Sequence, residues 1–238
     1  MIDLLMPRDT PVVALCGLRF RWPGAAEPTL QIDDFELQAG ATLFLQGASG
    51  GGKSTLLALL AGVLAADAGT VALQGRDWAS LRGAARDRAR ADSIGIVFQQ
   101  FNLLPYLPVI DNVLLPCRFS ALRAQRAGPS PRAAAERLLE RMGLAPALWS
   151  RAAATLSVGQ QQRVAAARAL IGAPALVLAD EPTSALDEAR RDDFMTLLLE
   201  ACAEARSALL FVSHDARLAA RFDRRVDLAD LNAVEAAA

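Results

Sequence analysis

Residues 47–54 read Gly-Ala-Ser-Gly-Gly-Gly-Lys-Ser. Glycine loses more conformational freedom on folding than any other residue, so a run this dense in it is unfavourable unless bare backbone is needed there. The stretch fits G-x-x-x-x-G-K-[ST] and stands between a strand-like apolar run, residues 41–46, and a helical run that begins at Lys53. In that setting the backbone N–H groups turn inward around a phosphate chain, and a β-carbon would hold the anion away. The helix that follows points the positive end of its dipole at the same place. Gly47, Ala48, Ser49, Gly50, Gly51, Gly52, Lys53, Ser54 and Thr55 are therefore expected to cradle a nucleotide. Lys53 reaches its β- and γ-phosphates, and the Ser54 hydroxyl serves as a hard oxygen ligand for Mg²⁺.

A strand-loop-helix of this kind needs a sheet to stand on, and the rest of the chain supplies the pattern. Residues 11–20 read as a strand, "FELQ" as another, and a turn at Ala39-Gly40 leads into 41–46. "KSTLLALLAGVL" is apolar on all sides and reads as a buried helix; "AGTVALQG" is a short strand with a turn at each end. Residues 81–93 form an arginine-rich helix, taken as a solvated face, and "IGIVFQ" is strand-like. From 101 to about 172 prolines punctuate a mostly helical pattern, with Ser130 as a cap, Pro131 in the first turn and Gly143 as a stop. Strand texture returns in "ALVLAD" (175–180) and "ALLFVS" (208–213), with a helix over about 188–206 between them and a frayed "EAAA" at the end. Apolar strands alternating with helices mean a mainly parallel sheet covered on both faces.

Composition excludes several classes. The 238 residues are 53% hydrophobic and carry a net charge of −1, which argues against a domain built to grip a nucleic-acid backbone. Three scattered cysteines and one histidine offer neither a disulfide framework nor a zinc site. The N-terminal "MIDLLMPRDTPVV" does not read as a secretory signal, and no apolar run is long enough to span a membrane.

"ALVLADEPTSALD" supplies a second chemical element. The apolar strand delivers Asp180 to the same sheet edge as the glycine loop, where it holds Mg²⁺ through water. Glu181 follows as a general base for an attacking water. An acidic pair in isolation also serves as a helix cap, but beside a phosphate-binding loop the two motifs together read as a P-loop ATPase or GTPase.

Further segments narrow the class. "LSVGQQQR" (156–163) resembles the LSGGQ signature of the ABC ATPases, "SALD" (184–187) their D-loop, and His214 after "LLFVS" their switch histidine. Gln99 in "IGIVFQQFNLLP" matches the Q-loop glutamine, and Trp22 the aromatic that stacks on adenine. The motifs follow one another in the family's order over nearly the whole chain. Periodicity alone does not separate Trp22 from Phe20, nor composition Gln99 from Gln100; the resemblance favours Trp22 and Gln99. The family has glycine where this chain has Val158. Either the position is helical, with the valine turned from the nucleotide, or the signature is impaired; the first is expected.

The resemblance implies an α/β ABC ATPase fold: a P-loop NTPase core of about 1–100 and 173–238 with a mainly parallel sheet and an antiparallel β edge, and an inserted helical subdomain of about 101–172. It implies ATP and Mg²⁺ as ligands, with Gln99 sensing the metal and the attacking water, and His214 contacting the γ-phosphate beside Glu181. It also implies a homodimer in which Ser157, Gly159 and Gln160 meet the ATP held by the other copy. A separately encoded integral membrane permease would be the working partner, at the cytoplasmic face of the membrane, with no nucleic acid involved. Within the family, "VFQQFNLLPYLPVIDNVLLP" most resembles the ATPases of lipoprotein release and macrolide export. The alternatives are a cell-division ATPase doing mechanical work on a periplasmic partner, or a soluble ABC protein of DNA repair or translation.

Overall fold

Five short strands, four of them mostly apolar, pair side by side in one direction, which requires a cover on both faces. In the computed structural model, which describes residues 10–184 and 186–234, that parallel sheet has the order β6-β7-β8-β3-β9. Its strands are β3 (Thr42–Gln46), β6 (Ile94–Val97), β7 (Leu176–Asp180), β8 (Ala208–Val212) and β9 (Arg224–Asp227). A second, antiparallel sheet runs β2-β1-β4-β5, from β1 (Val13–Phe20), β2 (Leu30–Leu37), β4 (Ala68–Leu73) and β5 (Arg76–Asp77).

Side-chain alternation along the parallel strands divides the interior in two. Leu43, Leu45, Leu176, Leu178, Leu210 and Val212 face the core shared with α1 (Lys53–Leu60) and the antiparallel sheet. Phe44, Val177, Ala179, Leu209 and Phe211 face the other core, filled by α3 (Val109–Phe119), α5 (Pro131–Arg141), α6 (Val158–Leu170) and α7 (Glu188–Ala205). The remaining helices are α2 (Ala84–Ser93), α4 (Ala121–Arg126) and α8 (Leu228–Leu231). The expected α/β fold with a parallel sheet and an antiparallel partner is thus the observed one.

Several local boundaries differ from the sequence reading. β2 begins at Leu30 rather than near Phe35, because Leu30 and Ile32 bury against β1 while polar residues between them face out. α1 stops at Leu60, and Val63 is 61% exposed, so "KSTLLALLAGVL" is a helix for only its first eight residues. α2 starts behind Gly83 at Ala84. β9 was not legible, because "RRVD" has one buried residue, Val226, and two exposed arginines. The Ala39-Gly40 turn, with Gly40 at φ +73°, and the Ser130-Pro131 start of α5 are as expected; Ser130 accepts from Ala133 N at 3.2 Å. The final "EAAA" lies outside the described residues.

The proline-rich stretch before α3 is held by one buried side chain. Asn112 is fully buried, accepts from Leu104 N at 2.8 Å and donates to Leu104 O at 3.1 Å, and to Leu107 O and Pro108 O at 3.3 Å. A backbone that cannot form a regular ladder there has its polar groups paired by a side chain instead.

α6 approaches the sheet closely. A β-carbon at Gly95 in β6 would stand 2.2 Å from Ala169 O, so only glycine admits the helix backbone at this distance. Beside that contact the buried Arg123 guanidinium donates to Ile94 O at 3.1 Å, Ile171 O at 2.7 Å and Ala169 O at 2.5 Å. It thereby pairs the last carbonyls of α6, where a cation also meets the negative end of the helix dipole. Burial draws its pKa down to about 10, so it stays protonated at neutral pH. Replacing Gly95 by alanine should push α6 off the sheet and cost about 1–3 kcal/mol, as overpacking of a tight core does. Urea unfolding of G95A should show a lower midpoint with an unchanged slope.

Candidate active site

Strand register brings the site together. Val97 of β6 lies opposite Ala179 of β7, Asp180 opposite Val212 of β8, and Val212 opposite Leu45 of β3. The carboxyl ends of four neighbouring strands therefore line one edge, and the loops leaving them carry the candidate residues. Open α/β sheets place ligands at this edge.

From β3 the chain enters the glycine loop. Gly50 (φ +77°) and Gly52 (φ +95°) are left-handed, a conformation that side-chain-bearing residues rarely adopt. Ala48, Ser49, Gly50 and Gly51 are exposed, Gly47 is half-buried, and Gly52 packs against Leu30. Gly52 is the N-cap of α1 and supplies no side-chain acceptor, so the first N–H groups of the helix remain available to an anion. Lys53 Nζ donates to Gly47 O at 2.9 Å and to Ala48 O at 2.8 Å, arching over the loop it belongs to.

β7 and β8 bring the acidic pair and the histidine to this loop. Ser54 Oγ donates to Asp180 Oδ2 at 3.2 Å, across 126 positions of sequence. Burial raises the pKa of Asp180; the Ser54 hydrogen bond and Lys53 oppose that rise, and the Glu181 charge adds to it. A partly buried carboxylate beside a hydroxyl, short of positive charge, is a hard-oxygen pair suited to Mg²⁺, so these residues fit the metal. Glu181 sits at φ +44°, strained for a residue with a β-carbon, and its N–H donates to Val212 O at 3.0 Å. Its Oε2 is 3.3 Å from His214 Nδ1. Gln99 is exposed in the turn just after β6.

Trp22 is separated from Phe20 by the end of β1. Phe20 is buried at 5% exposure, whereas Trp22 lies past the strand at 45%, edge-on to Phe20 with ring centroids 5.2 Å apart. Trp22 Nε1 donates to Thr55 Oγ1 at 3.3 Å, which fixes the indole beside α1.

The segment at 157–160 is built differently. Ser157 is the N-cap of α6: its hydroxyl accepts from Gln160 N at 3.4 Å and its N–H donates to Gln160 Oε1 at 3.0 Å, a reciprocal capping box. Val158 is the first residue of the helix, is absent from the left-handed region, and is 49% exposed, which shows how a β-branched residue is accommodated there. Gly159 is helical too, and a β-carbon on it would meet only Leu186 Cδ2, at 3.8 Å. Among the described residues no hydrogen bond joins 157–160 to the glycine loop. The structure thus brings Ser54, Asp180, Glu181 and His214 into contact and leaves Ser157, Gly159 and Gln160 on a separate helix tip.

Next to His214 lies a charged cluster that the sequence did not reveal, since its members are spread over α7 and the turn that follows β8. Asp215 pairs with Arg191 and with Arg217 Nε at 2.9 Å, and Arg217 pairs with Glu188 at 2.6 Å. The hydrogen bond from Arg217, together with the charges of Arg217 and Arg191, holds the Asp215 carboxyl down at about 2.

Comparison with known proteins places the fold and the family. Residues 30–184 match the family model described as ABC transporter. The chain is 44% identical over 226 residues to the lipoprotein-releasing system ATP-binding protein LolD of Anaeromyxobacter dehalogenans, covering 94% of this chain and 93% of that one. It is 37% identical over 222 residues to the probable export ATP-binding/permease protein MacB of Pseudomonas entomophila, covering 92% of this chain and 32% of that longer protein. Its backbone is similar to the dimeric post-hydrolysis structure of the ATP-binding cassette MJ0796 bound to ADP and Pi, with a TM-score of 0.78 at 31% identity over 90% of this chain and 93% of that one.

Because the folded-state pKa of Asp215 is depressed, its stabilisation is complete above the ordinary value of 3.8 and is lost as pH falls toward about 2. D215N should melt below the wild-type protein at neutral pH, with the gap in Tm closing through that acid window. Calorimetry across the window checks it; a gap indifferent to pH would show that the carboxylate charge is not the stabilising element.

Proposed function

Since this chain belongs to the ABC transporter ATP-binding family and is an ATPase of the LolD and MacB kind, we propose that two copies close around two ATP to drive a separately encoded membrane permease. The observation that carries this reading is the separation of the α6 tip from its own chain's glycine loop. Ser157 caps α6 and is exposed, yet among the described residues no hydrogen bond joins it to residues 47–54 of its own chain. A second copy turned to face the first supplies the missing half to both.

The residues divide the work accordingly. Backbone N–H groups of 47–54 hold the phosphates, and Lys53 exchanges the carbonyls of Gly47 and Ala48 for the β- and γ-phosphate oxygens. The exposed Trp22 face receives the adenine. Ser54 and Asp180, with Gln99 alongside, would hold Mg²⁺, which would supply neutralising charge to the phosphates. Glu181, its carboxylate aimed by the left-handed backbone, takes the proton from the attacking water, and His214 keeps that water and the γ-phosphate aligned. The partner subunit's Ser157 and Gly159 seal the γ-phosphate, where the free N–H groups at a helix start favour an anion and the missing β-carbon of glycine lets it approach. Hydrolysis removes the bridging phosphate and the pair reopens.

The helical stretch of about 101–172 would serve as the body that meets the permease, with 1–100 and 173–238 as the nucleotide-binding core. An apolar groove between β6 and α3, walled by Ile96, Phe98, Pro116 and Phe119, suits a short helix of the permease; Phe119 is 76% exposed. Arg168 braces the far wall, donating to Asn102 O and Phe101 O at 2.6 Å. Among the described residues no helix is long and apolar enough to cross a membrane, so attachment to the cytoplasmic face would run through this groove. The likeness to LolD and MacB supports lipoprotein release or macrolide export as the kind of transport.

E181Q should cut phosphate release by roughly 10²–10⁴-fold and trap an ATP-bound dimer on size exclusion. Unchanged hydrolysis would remove Glu181 from its role, and a chain that stays monomeric with ATP would remove the two-copy mechanism. F119D should leave ATP hydrolysis by the isolated protein intact while abolishing co-purification with membranes that contain the co-encoded permease. Retained co-purification would place the docking surface elsewhere.

A further inference from the structure

Resting on the two-ATP dimer above, we propose that Gln162 and Arg191 are positioning residues. They tie the α6 tip to the Glu181–His214 pair of the same chain and so couple the two ATP sites. Gln162 lies one turn into α6 from Ser157 and is wholly buried. Its Nε2 donates to Pro182 O at 2.9 Å, and its Oε1 finds no hydrogen-bond partner among the described residues. Burying an amide with an unpaired oxygen opposes stability, and a methionine would fill the same space without that penalty. What the amide contributes is therefore the position of Pro182.

That position matters because Pro182 follows Glu181, whose backbone is left-handed at φ +44°. A strained conformation persists only where its surroundings over-determine it. Three hydrogen bonds do so here: Glu181 N–H donates to Val212 O in the sheet at 3.0 Å, Ser184 N–H donates to Glu181 O at 3.2 Å, and Gln162 Nε2 on α6 donates to Pro182 O at 2.9 Å. A displacement of α6 changes the Gln162 bond and leaves the other two, which turns the Glu181 carboxylate relative to His214.

A return path runs through α7. Leu186 is the residue nearest the bare face of Gly159, and its carbonyl accepts from Arg191 NH2 at 3.1 Å. The other arm of Arg191 pairs with Asp215, adjacent to His214. Both side chains of that pair are mostly buried, at 18% and 15% exposure, where a charge-assisted bond holds geometry better than one in open water. The path thus runs from Ser157 and Gly159 on the α6 tip through Gln162, Pro182, Glu181, His214, Asp215 and Arg191 to Leu186, which faces the side of Gly159 where a β-carbon would stand. In the dimer the α6 tip senses the nucleotide held by the partner subunit, while the middle of the path carries this chain's own catalytic pair. Occupancy of one site then sets the readiness of the other.

The test uses the full chain with Q162M, R191M and R191K, reading kcat, KM and the Hill coefficient for ATP alongside Tm. Q162M should keep the wild-type Tm or exceed it and hold KM within about twofold. Its kcat should fall about fivefold to tenfold, the scale of one lost hydrogen bond, and its Hill coefficient should drop from about two toward one. R191M should show the same split, and R191K, which retains the charge but not the two-armed fork, should recover part of kcat. Wild-type kcat and Hill coefficient in Q162M, or a kcat that falls only in step with Tm, would overturn the proposal. ATP-driven dimerisation of E181Q separates the two levels. A normal E181Q dimer together with an unaffected Q162M sinks the coupling alone; absence of that dimer sinks the two-ATP reading and the coupling with it.

Discussion

Parallel pairing of β3, β7 and β8 is the constraint on which everything else rests. Asp180 and Ser54 are 126 positions apart, and His214 lies farther still along the chain, yet they meet because Leu45, Asp180 and Val212 are register neighbours at the same strand ends. A one-residue slip of β7 would turn Asp180 from the sheet edge into a core face and carry Glu181 away from His214, since side chains alternate with period two. Both faces of this sheet are apolar and both are covered, so such a slip would also place each strand's residues in the wrong core.

The same register explains the division of labour between the two cores. The core around α1 and the antiparallel sheet steadies the phosphate-binding loop from beneath, with Leu30 against Gly52 and Trp22 tied to Thr55. The core around α6 and α7 carries the helix tip that faces the second subunit in the proposed dimer. Gly95 and Arg123 anchor the far end of α6 to β6, so the opposite end, at Ser157, is the free one. A helix fixed at its C-terminus and exposed at its N-terminus is mechanically suited to sense a ligand arriving from outside the chain.

Much of the site was readable because its chemistry is local. The glycine loop, Lys53 and Ser54 occupy consecutive positions, and "ALVLADE" shows a buried strand ending in two carboxylates. Position 158 was readable only as a choice; the structure makes Val158 the first helical residue behind the capping box. Phe20 and Trp22 were inseparable by alternation because positions two apart share a strand face; the end of β1 falls between them, a boundary that pairing with β2 and β4 sets rather than residue type. β9 escaped notice because an edge strand with one buried side chain has almost no hydrophobic signature.

By itself the sequence determined the phosphate loop, the acidic pair, the alternation of strand and helix, and through its motifs the family. Each of these is a property of neighbouring residues, whose spacing and side-chain type act over a few ångströms of chain. Only the tertiary structure decided that Gln162 grips Pro182, that Arg191 bridges Leu186 and Asp215, that Asn112 pins the proline-rich stretch, and that the described α6 tip makes its hydrogen bonds to its own helix rather than to the loop. Those contacts join residues whose partners are chosen by how helices settle on a twisted sheet, and a linear order of amino acids does not display the directions in which side chains point once that settling is complete.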